Sequence, residues 1–265
     1  MIVVTACRHL GPGPHPGGSP QSVHGKPGLA VHEDAPIYTE PAEAEYSFNW
    51  EGGPAGEAVW NKAADFYQSE FSDWAKSLPK DSIEALNIYA GDDYRAINRY
   101  LRSVQNYGIR KDNWGGYGKQ KVGSWAYGID NSLGTYSVSK KYAHRLSRPL
   151  LVYRGMSDKR LAHLSVGDVY SDRAFLSTAM MLRGIQGTMF DKGAICHIHL
   201  PKGTRVATTG VGYDDRKIGL DGESEILLPR RSRLRLNKKW VEGSKTHYDF
   251  TYLGSDDEKY LGMVR

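Results

Sequence analysis

From Ala58 onward, apolar residues recur at helical spacing. Val59, Ala63, Phe66, Tyr67, Phe71 and Trp74 fall three and four residues apart on one stripe, and Pro79 ends it. A second helix is expected from Asp81, with Glu84 three residues on as an Asp version of the capping box. It carries Ile83, Leu86 and Ile88 and breaks at Gly91. Asp92 or Asp93 then caps a third helix bearing Tyr94, Ile97, Asn98, Tyr100 and Leu101. Residues 106–128, rich in Gly, Tyr and Trp, read as an ordered loop, and 129–146 as a further helix. Beyond that point the period shortens. Strands are expected at 149–155, 167–170, 174–179, 195–200, 204–209, 224–229, 232–236 and 246–253, the last as an alternating edge strand that closes the chain. Helices first and mostly antiparallel strands afterwards define an α+β fold.

Before the first stripe the chain changes character. Eight of the 12 prolines lie within residues 1–55, with many glycines and little apolar periodicity. Such a segment buries too little surface to offset its ordering entropy, so 1–55 reads as a Pro/Gly-rich disordered arm and 56–265 as the folded domain. The arm's histidines, His9, His15, His24 and His32, have no regular ligand spacing. Met1–Cys7 superficially resembles a lipoprotein box, but the apolar run is short and no basic residue precedes it. No stretch is long and apolar enough to span a bilayer. Cys7 and Cys196 are too distant in sequence to suggest a disulfide framework or a metal site. A formal charge of +5 permits contact with nucleic acid or an acidic surface without demanding either.

Three separated segments could carry chemistry. Arg154 closes the apolar run Leu150–Tyr153, where a charge must find a partner; a bridge to a core carboxylate would serve as well as a ligand. In Phe175-Leu176-Ser177-Thr178, alternation puts Phe175 and Ser177 on one face; alone it is a plain strand with hydroxyls. Glu223 and Glu225, separated by Ser224, would share one strand face roughly 7 Å apart, as like charges whose titrations are pushed apart. Carboxylate pairs of this kind suit glycosyl transfer. A solvated pair on an edge strand is the plainer alternative.

In this order, with Tyr94-Arg95-Ala96-Ile97-Asn98 through Leu101-Arg102, Gly167-Asp168-Val169-Tyr170 and the turn Pro201-Lys202-Gly203-Thr204 as connectors, the chain resembles the R-S-E class of ADP-ribosyltransferases over residues 58–254. These are arginine-modifying enzymes of bacterial toxins and phages. One position departs from the pattern: Ala179 stands where the third residue of the Ser-Thr-Ser run is expected. The resemblance implies N-terminal helices packed on a split, mostly antiparallel sheet, with NAD as substrate and no metal. It implies that Arg154 ties down the NAD phosphates and that Ser177 hydrogen-bonds Glu225. Glu225 would accept the ribose 2′-hydroxyl and stabilise the oxocarbenium-like state, and Glu223 would orient and deprotonate an arginine acceptor. Thr178, Phe190, Arg183 and Lys192 are expected on the NAD side, and Tyr213 in the acceptor loop. The expected partners are NAD and a protein bearing a reactive arginine, with neither membrane nor nucleic acid required. Action is expected after secretion or delivery without a recognisable signal peptide, or in the cytoplasm for a phage-encoded protein.

Other residues have plainer readings. His197 and His199 share a strand face as core-edge histidines without a third ligand. Arg230, Arg231, Arg233, Arg235, Lys238 and Lys239 read as a charge-guarded edge strand, or else as a surface for an acidic partner. Two other functions compete with the transferase. One is an NAD glycohydrolase, which would tolerate loss of Glu223. The other is an inactive phage structural or nucleic-acid-binding protein.

Overall fold

The computed structural model describes residues 53–103, 116–135, 137–185, 193–212 and 224–256, all within the compact unit Tyr38–Arg265. The apolar stripe at the start of the domain forms α1 (Gly53–Ser77), which buries Ala63, Phe66, Tyr67, Phe71, Trp74 and Ala75. The helix begins at Gly53, just inside the expected arm; Pro54 is tolerated there because the first turn needs no N–H donor. Next comes α2 (Lys80–Ala90), whose N-cap is Pro79 rather than Asp81. The expected Asp81–Glu84 box therefore does not form: Asp81 already lies in the first turn, where its charge faces the helix's positive end. Gly91 ends α2 as expected, and α3 spans Tyr94–Ser103.

The sequence reading of 106–146 needs correction. A helix, α4, runs over Lys119–Leu133, so it occupies the end of the expected loop and only the start of the expected helix. Its buried stripe is Val122, Trp125, Ala126, Ile129 and Leu133. Gly134, with φ +60°, stops it in the left-handed conformation, and its N–H returns to the Asn131 carbonyl. The chain continues through a 3-10 turn, Ser137–Tyr142. Gly128 lies where α4 crosses α2: a Cβ there would meet the Ala85 Cβ at 2.7 Å and the Asp81 carbonyl oxygen at 2.9 Å.

The strands are β1 (His144–Arg145), β2 (Leu150–Ser157), β3 (Val169–Ser171), β4 (Leu176–Ala179), β5 (Gly193–Leu200), β6 (Arg205–Val206), β7 (Glu225–Leu228), β8 (Ser232–Glu242) and β9 (Lys245–Ser255). Seven form one sheet in the order β3-β8-β9-β5-β2-β4-β7, while β1 and β6 pair separately. Every neighbouring pair is antiparallel except β5 with β9. The fold is α+β, a helical layer against a mostly antiparallel sheet.

Two strand expectations are overturned. β9 is interior, hydrogen-bonded to both β8 and β5, not an edge. β8, which carries the basic cluster, is likewise covered on both sides over Arg233–Arg235. The even-numbered side chains of β2 and β5 (Leu150, Val152, Met156, Ala194, Cys196, Ile198, Leu200) join the main core with the helices. On the opposite face, Tyr153, Ala179 and Ile185 form a smaller cluster with Leu151 and Leu182. Beside it lies a polar network in which His197 contacts His247 at 2.9 Å and His199 contacts Asp249 at 2.8 Å.

Candidate active site

Alternation along β2 places Arg154 on the core-facing side, between Val152 and Met156. A guanidinium there interrupts an apolar row. Its Nη1 donates to the Ser177 backbone carbonyl on β4, and its Nε is buried with no hydrogen-bond partner among the described residues. Among the described residues, no carboxylate forms a salt bridge with it. Asp172 lies within electrostatic reach, but Arg102 takes that carboxylate with two parallel bonds, Nε to Oδ1 at 2.9 Å and Nη2 to Oδ2 at 2.7 Å. Burial works against the Asp172 charge, yet the Arg102 hydrogen bonds outweigh it and hold the carboxyl below its ordinary range.

Glu225 opens β7 and is 7% exposed, so the solvated-pair alternative does not apply to it. β7 is an edge of the main sheet, but the bridge between Ala207 and Leu227 covers its outer side. The Thr209 Oγ1 donates to Glu225 Oε2 at 2.6 Å, and Tyr67 of α1 donates to the Glu225 carbonyl at 3.4 Å. Register puts Ala179 opposite Glu225 and Ser177 opposite Leu227, so β4 and β7 bring Ser177 and Glu225 to one corner of the sheet. Beside the hydrogen bond expected from Ser177, Thr209 supplies one to this carboxylate.

Tyr89 of α2 links the two charges. Its hydroxyl is buried, accepts a hydrogen bond from Asn98 Nδ2 at 2.9 Å, and feels Glu225, Arg154 and Arg102 electrostatically. Burial chiefly, and Glu225 secondarily, push its ionisation well above the ordinary phenol range. Helices α2 and α3 thus bring Tyr89, Asn98 and Arg102 to the core-facing side of β2, with Arg154 and Glu225 in electrostatic range. Tyr89 and Thr209 were not picked out from sequence: Tyr89 continues an ordinary apolar stripe, and Thr209 gains meaning only from the pairing of its segment with β7.

The other expected residues divide. Thr178 is buried and its hydroxyl donates to the Ile226 carbonyl at 2.6 Å, a bond within the sheet. Arg183 lies over the Trp60 ring of α1 at 4.9 Å. Phe190, Lys192, Tyr213 and Glu223 lie outside the described residues. The expected strand face shared by Glu223 and Glu225 rests on a residue outside the described ones; Ser224, the residue just before β7, is described. Its φ is +46°, in the left-handed region. Among the described residues no group of three metal-ligating side chains exists, and no helix is long and apolar enough to cross a membrane. Cys196 stands opposite Arg154 on β5, and burial pushes its thiol up to about 12, with Arg154 acting in the opposite sense.

The family model described as ADP-ribosyltransferase exoenzyme matches residues 63–252. Among solved structures, the fold is similar to Plx2a, an ADP-ribosyltransferase toxin from Paenibacillus larvae, at 20% identity and a TM-score of 0.53, covering 73% of this chain and 96% of that one. It is also similar to the ADP-ribosylating toxin BECa of a C. perfringens binary enterotoxin, solved with NADH, at 17% identity and a TM-score of 0.54, covering 73% of this chain and 48% of that one. A third is the ADP-ribosyltransferase Vis in complex with agmatine, at 17% identity and a TM-score of 0.53, covering 77% of this chain and 88% of that one. No curated protein matches the chain in sequence.

Proposed function

The chain belongs to the ADP-ribosyltransferase exoenzyme family, whose members move ADP-ribose from NAD to an acceptor, and we propose that its acceptor is an arginine side chain of a protein. The observation that carries the reading is that a half-buried cation, Arg154, and a buried carboxylate, Glu225, both lie in electrostatic range of Tyr89. Arg154 has an unpartnered buried Nε, and Glu225 is fixed by Thr209. An orphaned guanidinium N–H fits an anionic ligand, and the planar fork suits the phosphates of a dinucleotide.

In this reading Arg154 binds and orients the NAD phosphates. Glu225 accepts the 2′-hydroxyl of the nicotinamide ribose. As the bond from the ribose carbon to nicotinamide breaks, its electron pair leaves with nicotinamide, and the carboxylate stabilises the positive charge left on the sugar. Ser177, whose carbonyl already holds Arg154, aligns the two charges. Glu223 handles the acceptor. A guanidinium is protonated at neutral pH and is a poor nucleophile, so a carboxylate must orient it and take a proton as the new C–N bond forms. The agmatine held by Vis is itself a guanidine, which makes it a suitable probe.

The test reads two activities, nicotinamide release and ADP-ribose incorporation into agmatine. Glu225→Gln is expected to lower both by about 10²–10³, the scale of one preorganised electrostatic contact. Glu223→Gln is expected to leave release to water largely intact and to abolish incorporation. Full activity in the Glu225 variant overturns the site. Equal loss of both activities in the Glu223 variant overturns the division of labour. Incorporation unaffected by Glu223→Gln overturns the arginine assignment.

A further inference from the structure

The segment that leads into the acceptor loop is built against β7. Ala207 and Leu227 exchange both backbone hydrogen bonds, at 3.0 and 2.8 Å. Two residues further along each side, Thr209 stands opposite Glu225, where a cross-strand pair brings side chains into contact. The Thr209 hydroxyl donates to Glu225 Oε2 at 2.6 Å, with both residues buried. A carboxylate accepts hydrogen bonds only, so a short bond from a fixed hydroxyl sets which way its oxygens point.

Thr209 is itself held. The Val211 N–H returns to the Thr209 carbonyl at 2.9 Å. Asn87 of α2 donates from one Nδ2 to the Val211 carbonyl at 3.1 Å and the Ile83 carbonyl at 2.9 Å, which pins the next turn of chain to the helix that carries Tyr89. On the other side, the Met180 N–H donates to the Ser224 carbonyl at 3.1 Å, fixing the residue before Glu225. The carboxylate is therefore oriented by a hydroxyl whose own backbone is anchored to α2.

We propose that Thr209 is a positioning residue for the transferase reaction, holding Glu225 in the rotamer that meets the donor sugar. This rests on the role given to Glu225 above. The hydroxyl does the work and the methyl group packs, so valine, with the same shape and no donor, separates the two contributions.

The experiment compares Thr209→Val, Thr209→Ser and Glu225→Gln by steady-state nicotinamide release and thermal melting. Thr209→Val is expected to lower kcat about tenfold, the scale of one hydrogen bond to a charged group. KM for NAD is expected to stay within about twofold, because Arg154 still binds the phosphates. Thr209→Ser is expected to restore kcat to within about twofold of the parent. Wild-type kcat in Thr209→Val overturns the proposal, as does a Ser variant as slow as the Val variant. If Thr209→Val does not fold, Thr209→Ala takes its place against Thr209→Ser, with the same two outcomes. An inactive Glu225→Gln beside a fully active Thr209→Val removes Thr209 alone. A fully active Glu225→Gln removes the proposed function itself.

Discussion

Two sets of arginines on this sheet are treated in opposite ways. On β8 and the turn before it, two of the arginines are paired with carboxylates, Arg230 Nε with Asp130 at 3.2 Å and Arg233 with Asp256 at 3.6 Å, and Lys239 donates to the Leu164 carbonyl at 2.9 Å. On β2, Arg154 donates to a backbone carbonyl and keeps a buried, unpartnered Nε, while Asp172 is committed to Arg102. A buried N–H donor without a partner is costly, so folding stability alone gives no reason to keep one. The contrast separates cations that fasten elements together from Arg154, which the proposed function assigns to a ligand. It also argues against the β8 cluster as a nucleic-acid surface, since several of its charges are already used inside the molecule.

The largest expected effect falls on the fastening side. Asp130 is 2% exposed and accepts from the Thr135 hydroxyl at 3.0 Å as well as from Arg230. Removing it takes away the ion pair to Arg230 where α4 meets the turn after β7. Asp130→Ala is expected to cost about 3 kcal/mol, several degrees in Tm, with NAD affinity in the folded protein unchanged. Arg154→Lys should behave conversely. Lysine keeps the charge but loses the fork, so NAD binding should weaken about tenfold, or about 1.4 kcal/mol, with Tm nearly unmoved. Calorimetric titration with NAD and thermal melting on both variants decide the matter. A large Tm loss with unchanged NAD affinity in Arg154→Lys would make that arginine another fastener.

Much of this contrast could be read from the chain, because it depends on which residues interrupt an apolar pattern. Arg154 within Leu150–Met156 and Glu225 before Ile226-Leu227-Leu228 are such interruptions, and both lie at the candidate site. Pairing could not be read. The β8 cations looked like a solvated edge because their carboxylates come from α4 and from the chain after β9. β9 looked like an edge because its outward residues are polar, yet His199, Asp249 and Asn237 satisfy one another across three strands. α4 was obscured by Gly123 and Gly128, which read as breakers. Gly128 is needed for close approach to α2, a packing demand with no local signature. Thr209 is the same lesson at the site: its role exists only in the register of Ala207 against Leu227.

The smallest expected effect lies on the opposite face of the sheet, where charge is suppressed instead of paired. His197 meets His247 at 2.9 Å, packs edge-on to Tyr153 with centroids 5.3 Å apart, and has Trp240 at 5.2 Å. His199, Asp249 and Glu242 complete its charged surroundings. Burial, then the His247 charge, push its ionisation down to about 4, with Asp249 and Glu242 pulling weakly the other way. The folded histidine stays neutral where the unfolded one, at an ordinary 6.5, takes up a proton. Protonation therefore favours the unfolded chain first. Stability is full above pH 6.5 and is lost progressively as pH falls toward 4. With allowance for solvent screening, the loss from this group is about 1–2 kcal/mol. His197→Gln should flatten the decline in Tm between those pH values and leave NAD affinity at neutral pH unchanged, since Arg154 lies on the other face of the sheet. An equally steep decline in the variant would move the acid response to the other carboxylates whose ionisation folding holds low, Asp172, Asp249 and Glu70. Those groups lose their contribution only as pH falls below the ordinary carboxylate range, so a profile that drops mainly below about pH 4 would identify them.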